Sequence, residues 1–191
     1  MADLQTPRNR PEAIRWAQEM VKEGAVFLDF ETTDIKDAEV VQVGVLDING
    51  QPIIETLVKP ATSINPRAMA VHGITHEMVM DAPSFEEIYV QLSVSLAGRY
   101  VIAYNAPFDR GVLAGSCERR GLPLPKIKSW ACAMRAYAVY HGHAGKNGYQ
   151  WQSLSKACMQ QKIIVDKAHD AMGDCMMTLA LVKRMAEASE K

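Results

Sequence analysis

The apolar positions of this chain change period several times, and each change marks an element. Between Pro11 and Glu23, Ile14, Ala17 and Val21 recur at helical spacing, a proline opens the segment and Gly24 closes it. Ala25 to Phe30 is a short run, apolar except for Asp29, and predicts a buried strand. Val40 to Ile48 and Pro52 to Val58 flank Asn49-Gly50, so the second and third strands form an antiparallel hairpin. Lys59 to Thr75, carrying Pro60, Pro66 and Gly73, reads as a loop, and Thr75 to Met80 as one helical turn. Ser84 and Glu87 make a capping box at the head of a helix that reaches Ala97.

Arg99 to Tyr104 is a further strand, and Pro107 opens a helix to about Arg120. Lys126 to Ser129 reads as a short strand and Ala131 to Tyr140 as a helix. His141 to Gly148, with three glycines, reads as a loop or mobile flap, and Gln152 to Gln161 and Ala171 to Glu187 as helices. Three strands followed by alternating strands and helices predict an α/β fold, a mixed sheet flanked by helices. Residues 1–24 would supply a helix packed on a domain spanning residues 25–191.

Composition narrows the picture. Hydrophobic residues make up 48% and charged residues 23% of 191 positions, which argues against disorder, collagen and coiled coil. No apolar run approaches the ~20 residues of a membrane span, and the first residues lack the apolar core of a signal peptide. Cys117, Cys132, Cys158 and Cys175 form no CxxC pair and are read as reduced thiols, so a cytoplasmic location is expected. A net charge of -1 excludes a basic coat for long duplexes and leaves room for a small site gripping a few phosphates.

The candidate chemistry lies in carboxylates. Asp29 and Glu31 stand two apart on a strand and so share a face at its end. They are either ordinary strand-end acids or a pair joined by a hard cation such as Mg²⁺ or Mn²⁺. Asp109, the third residue of its helix if Pro107 is the first, is explained by the helix dipole alone, yet its helix could start on the sheet edge that carries Asp29. If Asp170 caps the last helix, His169 and Asp174 occupy the two positions that touch in a hydrophobic staple. That pair is either a capped surface turn or an imidazole able to take a proton from water beside a metal on Asp174.

Together the segments resemble the DEDDh 3′–5′ exonucleases, the DnaQ-like proofreading and trimming nucleases. The resemblance is carried by Asp29-Phe30-Glu31-Thr32-Thr33, Asn105-Ala106-Pro107-Phe108-Asp109 and His169-Asp170-Ala171-Met172-Gly173-Asp174. Ile64-Asn65-Pro66 and Val71-His72-Gly73-Ile74-Thr75 add the family's substrate-side loop. It implies an RNase H-like fold, two Mg²⁺ ions (Mn²⁺ substituting) on Asp29, Glu31, Asp109 and Asp174, and His169 as general base. It further implies substrate contacts from Thr32, Thr33, His72, Asn105 and Phe108, with single-stranded 3′ ends cut to nucleoside 5′-monophosphates; the sequence does not say DNA or RNA, and DNA is only slightly favoured. A homodimer is compatible with it. Asp34 stands where the family often has glycine.

Arg119, Arg120, Lys126, Lys128 and Arg135 form a basic stretch that could track a strand backbone or simply be solvated. Trp16, Trp130 and Trp151 are read as packing residues, and Met159, Met172, Met176 and Met177 as core filler.

Overall fold

The computed structural model describes residues 6–145, 148–164 and 169–189. The first helix, α1 (Arg10–Lys22), is capped by the Asn9 side chain, carries Pro11 in its first turn and buries Ile14, Trp16, Ala17 and Met20. Gly24, at φ +63°, reverses the chain into β1 (Val26–Thr32). β2 (Val40–Leu46) and β3 (Pro52–Leu57) follow as the expected antiparallel hairpin, its turn pinned by the Asp47 carboxylate accepting from the N–H groups of Asn49 and Gln51.

The next segment departs from the loop expected over residues 59–75. Pro66–His72 is a helix, α2, capped by Asn65 and ended by Gly73 in the left-handed conformation. Its cap, its early proline and its closing glycine are all in the sequence, but it buries no residue fully, so it has no hydrophobic period to betray it. α3 (His76–Val79) is the single turn expected, and α4 (Phe85–Leu96) begins with both bonds of the Ser84–Glu87 capping box.

β4 (Tyr100–Ala103) leads into α5 (Ala106–Glu118), which starts one residue before Pro107, so Asp109 is its fourth residue rather than its third. β5 is Ser129–Cys132, three residues later than expected, because Trp130, Ala131 and Cys132 extend the sheet before α6 (Ala133–His141) begins. The glycine-rich segment is not a plain loop: Ala144–Gly145 (β6) pairs with Gly148–Tyr149 (β7), the residues between them lying outside the described set. α7 (Leu154–Gln160) and α8 (Ala171–Ala186) complete the chain.

The sheet order is β3-β2-β1-β4-β5, with β1 antiparallel to β2 and parallel to β4. Alternation along β1 divides the core. Phe27 faces a cluster built with α1, α6, α7 and α8, while Val26, Leu28 and Phe30 face one built with α4 and α5. Side chains at 29 and 31 therefore point to the α8 side. Among the described residues no helix is long and apolar enough to cross a membrane.

Candidate active site

β1 pairs with β4 only at Val26 and Phe27, then diverges from it. The divergence opens a crevice at the end of the central strand, where sites in α/β sheets form. The N–H of Phe30 finds its partner across that crevice in Asp109, whose Oδ1 accepts at 3.3 Å. Asp109 itself is 3% exposed. The start of α5 is thereby tied to the middle of β1.

α8 enters from the other face. Its cap is Asp170, whose carboxylate accepts the N–H of Gly173. His169, at φ +65°, donates its backbone N–H to Asp174 Oδ1 at 3.3 Å. Glu31, His169 and Asp174 each offer a ligand atom within 4.8 Å of the others. His169 stands exposed at the rim, while Glu31 and Asp174 lie half-buried below it.

Two residues that sequence reasoning did not single out set this arrangement. Gln42 lies opposite Glu31 on β2, donating its amide N–H to Asp170 Oδ1 at 2.7 Å and accepting the N–H of Ala171 at 3.1 Å. Gly44 lies opposite Asp29 and lets the backbone at the head of α8 rest directly on the strand. Gln42 alternating with valines is an ordinary strand pattern, and its partner is more than a hundred residues away in sequence, so only the fold reveals its use.

The electrostatics follow from crowding. Burial, then the charges of Asp109, Asp174 and Glu31, holds the Asp29 carboxyl well above the usual carboxylate range. Burial, then Asp174 and Asp170, pushes Glu31 up to about 7. Asp109 is pushed to about 8 by burial, with the Phe30 N–H pulling the other way. Asp174 is raised by burial too, against the opposing pull of His169. Carboxylates that disfavour one another's ionisation, all oxygen donors and one imidazole beside them, are the donor set that a hard divalent cation fits. Among the described residues Glu31, His169 and Asp174 offer donor atoms close enough to share one ion, and the charges of Asp29 and Asp109 act on the same cluster.

Next to the acids, a cavity of about 340 Å³ is lined by Glu31, Thr32, Asn65, Val71, His72 and Phe108, among others. His72 closes its floor: Nδ1 accepts the N–H of Ile74 at 3.0 Å, which leaves Nε2 to donate to the Thr32 carbonyl at 3.2 Å. Burial pulls its pKa below the ordinary histidine range, consistent with a neutral ring. Phe108 is half-buried at the cavity edge and Asn105 is exposed at the head of α5. Thr32 donates its hydroxyl to the Asp34 carbonyl at 2.8 Å. Thr33 is 3% exposed and spends its hydroxyl on the Glu39 N–H. Asp34, in turn, accepts from Asn65 Nδ2 at 2.7 Å, joining the loop after β1 to the head of α2.

The basic stretch divides. Arg119 and Arg120 ion-pair with the buried Glu39, Arg120 also with Glu86, and Lys128 with Glu23. These are structural links, whereas Arg135 lies over the ring of Trp151. Trp16 and Trp130 are packed as expected, but Trp151 is exposed, as are Met159 and Met176.

An exonuclease family model, RNase_T, matches residues 26–182. An uncharacterized exonuclease, CP81, of Escherichia phage 186 is 35% identical over 179 residues, covering 90% of this chain and 92% of its own. Exodeoxyribonuclease 10 of Escherichia coli K12 is 31% identical over 164 residues, covering 82% of this chain and 66% of its own. A solved exonuclease X in complex with 5′-overhanging duplex DNA is 27% identical and superposes with a TM-score of 0.63, covering 84% of this chain and 90% of the other.

Proposed function

This chain belongs to the DnaQ-like, DEDDh exonuclease family, a divalent-metal-dependent group of nucleic-acid hydrolases, and on that premise we propose that it removes nucleotides one at a time from the 3′ end of a single strand, DNA in preference to RNA. The observation that carries the reading is the convergence of acids from β1, α5 and α8 beside a cavity that ends at Thr32 and His72.

In this reading Asp29, Glu31, Asp109 and Asp174 hold two Mg²⁺ ions, with Mn²⁺ able to replace them. When bound there, a divalent metal would supply positive charge to lower the pKa of an attacking water and to offset charge on a leaving oxygen. The terminal nucleotide lies in the cavity, its sugar against the backbone of Thr32 and Thr33 and the His72 edge, its base beside Phe108. Asn105 faces the next nucleotide. His169, at the solvent rim and directly beside Asp174, accepts the proton of the water that attacks the last phosphorus. The bond from phosphorus to the 3′ oxygen breaks. A nucleoside 5′-monophosphate leaves and the shortened strand keeps a 3′-hydroxyl. Gln42 and Gly44 position His169 and Asp174 through the head of α8.

Digestion of 5′-labelled single strands with Mg²⁺ tests the proposal. Successively shorter labelled products, abolished by EDTA, support it; release of the 5′ label as a mononucleotide, or equal attack on a closed circular strand, would overturn it.

A further inference from the structure

The site described so far leaves one aromatic and cationic surface without a role. We infer that Arg135 and Trp151 form a platform for the single strand upstream of the terminal nucleotide, beside a second cavity that Arg135 shares with the first turns of α5.

Three observations converge on it. First, Trp151 is 61% exposed, while Trp16 and Trp130 are 6% and 4% exposed. A large aromatic ring left in water has a polar neighbour rather than a core: the Arg135 guanidinium stands 6.0 Å from its ring centroid. Second, the pair is fixed to the edge of the sheet that carries the acids. Tyr104, the residue before Asn105, donates its hydroxyl to the Gln152 carbonyl at 2.7 Å, and the Met134 N–H donates to the Tyr104 carbonyl at 2.9 Å. Trp151 and Arg135 are thus each one residue from an anchor on Tyr104, which joins β4 to Asn105. Arg135 also lines a cavity of about 370 Å³ with Pro107 and Arg110, at the head of the helix bearing Asp109. Third, no acid lies between Arg119 and Lys162 in sequence, and although Arg119, Arg120 and Lys128 are ion-paired to Glu39, Glu86 and Glu23, Arg135 lies on the ring of Trp151.

In this inference, a strand whose last nucleotide fills the cavity lined by His72 and Phe108 leaves it past the head of α5, where Asn105 is exposed. Beyond Asn105 it meets this surface, where Arg135 faces a phosphate and Trp151 offers its face to a base, a sequence-tolerant mode of holding single strands. The inference rests on the exonuclease reading, and it adds that nucleotides not being cut are gripped by this chain's own aromatic residue.

The test uses the full chain, a dinucleotide, and long oligothymidine and oligouridine. With Ca²⁺ in place of Mg²⁺, Trp151 is the exposed tryptophan, Trp16 and Trp130 being buried in the wall of the 370 Å³ cavity, so either oligonucleotide should quench its fluorescence and thymidine 5′-monophosphate should not. In Trp151→Phe the quench should vanish. With Mg²⁺, Trp151→Ala should lower kcat/KM on the oligonucleotides about ten-fold, mostly through KM, as expected for losing one stacked base. Its loss on the dinucleotide should stay below about two-fold, and Trp151→Phe should recover most of the difference. Equal losses on short and long substrates, or a fluorescence quench that survives Trp151→Phe, would overturn the inference. If the wild type cuts no substrate, the exonuclease reading fails, while the quench still decides whether the platform binds strands.

Discussion

A methyl group on Gly44 would stand 2.8 Å from the carbonyl carbon of Ala171. Backbone meets backbone there, so neither side can yield by rotating a side chain. The strand that carries Asp29's partner and the helix that carries Asp174 are spaced by the absence of a Cβ.

Gly44→Ala should therefore push the head of α8 away from β2. The expected cost in stability is about 1–3 kcal/mol, as for other overpacked core sites. Turnover should drop further than that loss implies, because His169 and Asp174 move together relative to Asp29 and Glu31. Paired measurements of Tm and kcat check it. A folded Gly44→Ala enzyme with wild-type kcat would mean that the spacing at this contact is irrelevant to the chemistry.

His169→Ala should reduce turnover by at least ~10²-fold, the usual worth of a positioned base. Binding of a 3′ end should hardly change, since the acids and the cavity remain. Single-turnover kinetics beside a binding titration separate the two. Wild-type turnover in the variant would pass the proton-accepting role to another group.

Asp174→Asn should melt at the same temperature as the wild type, or above it, in EDTA. Removing one charge relieves the crowding that raises Asp29, Glu31 and Asp109. In millimolar Mg²⁺ the order should reverse, with the wild type gaining roughly 1–3 kcal/mol if the metal is far above its dissociation constant. Asp174 also accepts the His169 N–H, a bond that asparagine's oxygen can keep. A variant strongly destabilised in EDTA would make Asp174 a structural anchor.

The same crowding gives the metal-free fold a pH dependence. Glu31 and Asp109 hold protons more tightly when folded, with pKa values of about 7 and about 8 against ordinary values of 4.5 and 3.8. The folded state then binds more protons than the unfolded chain, so their contribution to stability is fully present below the ordinary values and is lost as pH rises through the folded ones. In EDTA, stability should fall between about pH 4 and about pH 8. With Mg²⁺ present the fall should shrink, because ionised acids are the ligands. Urea melts across the window, with and without metal, read this directly; a metal-free protein growing steadily more stable across it would contradict the crowded-acid picture.

Much of the fold is legible in the sequence because its signals are local. The Ser84–Glu87 box, Asn49-Gly50 and Gly24 each specify a turn or cap within a few residues, and each is realised. The three acidic motifs are legible for the same reason, being short runs of fixed spacing. What escapes is what depends on distant partners. Arg119 and Arg120 look free in the sequence but are drawn to Glu39, buried 80 residues earlier where it also accepts from Ala61 and Thr62. Gln42 looks like an outward strand position and instead clamps α8. Trp151 looks like core, since large aromatics usually are, but it stands in solvent while Trp16 and Trp130 are buried.

The seating of α8 on β2 also fixes when the enzyme becomes dangerous. Synthesis runs from β1 through α5 to α8, so a growing chain presents Asp29, Glu31 and Asp109 well before it owns His169 or Asp174. Until Gln42 and Gly44 receive α8, the proposed ligand set is one acid short and its proposed base is missing. In the proposed site, a chain whose α8 has not docked would lack both an acid and the imidazole, so the seating of α8 would switch the site on.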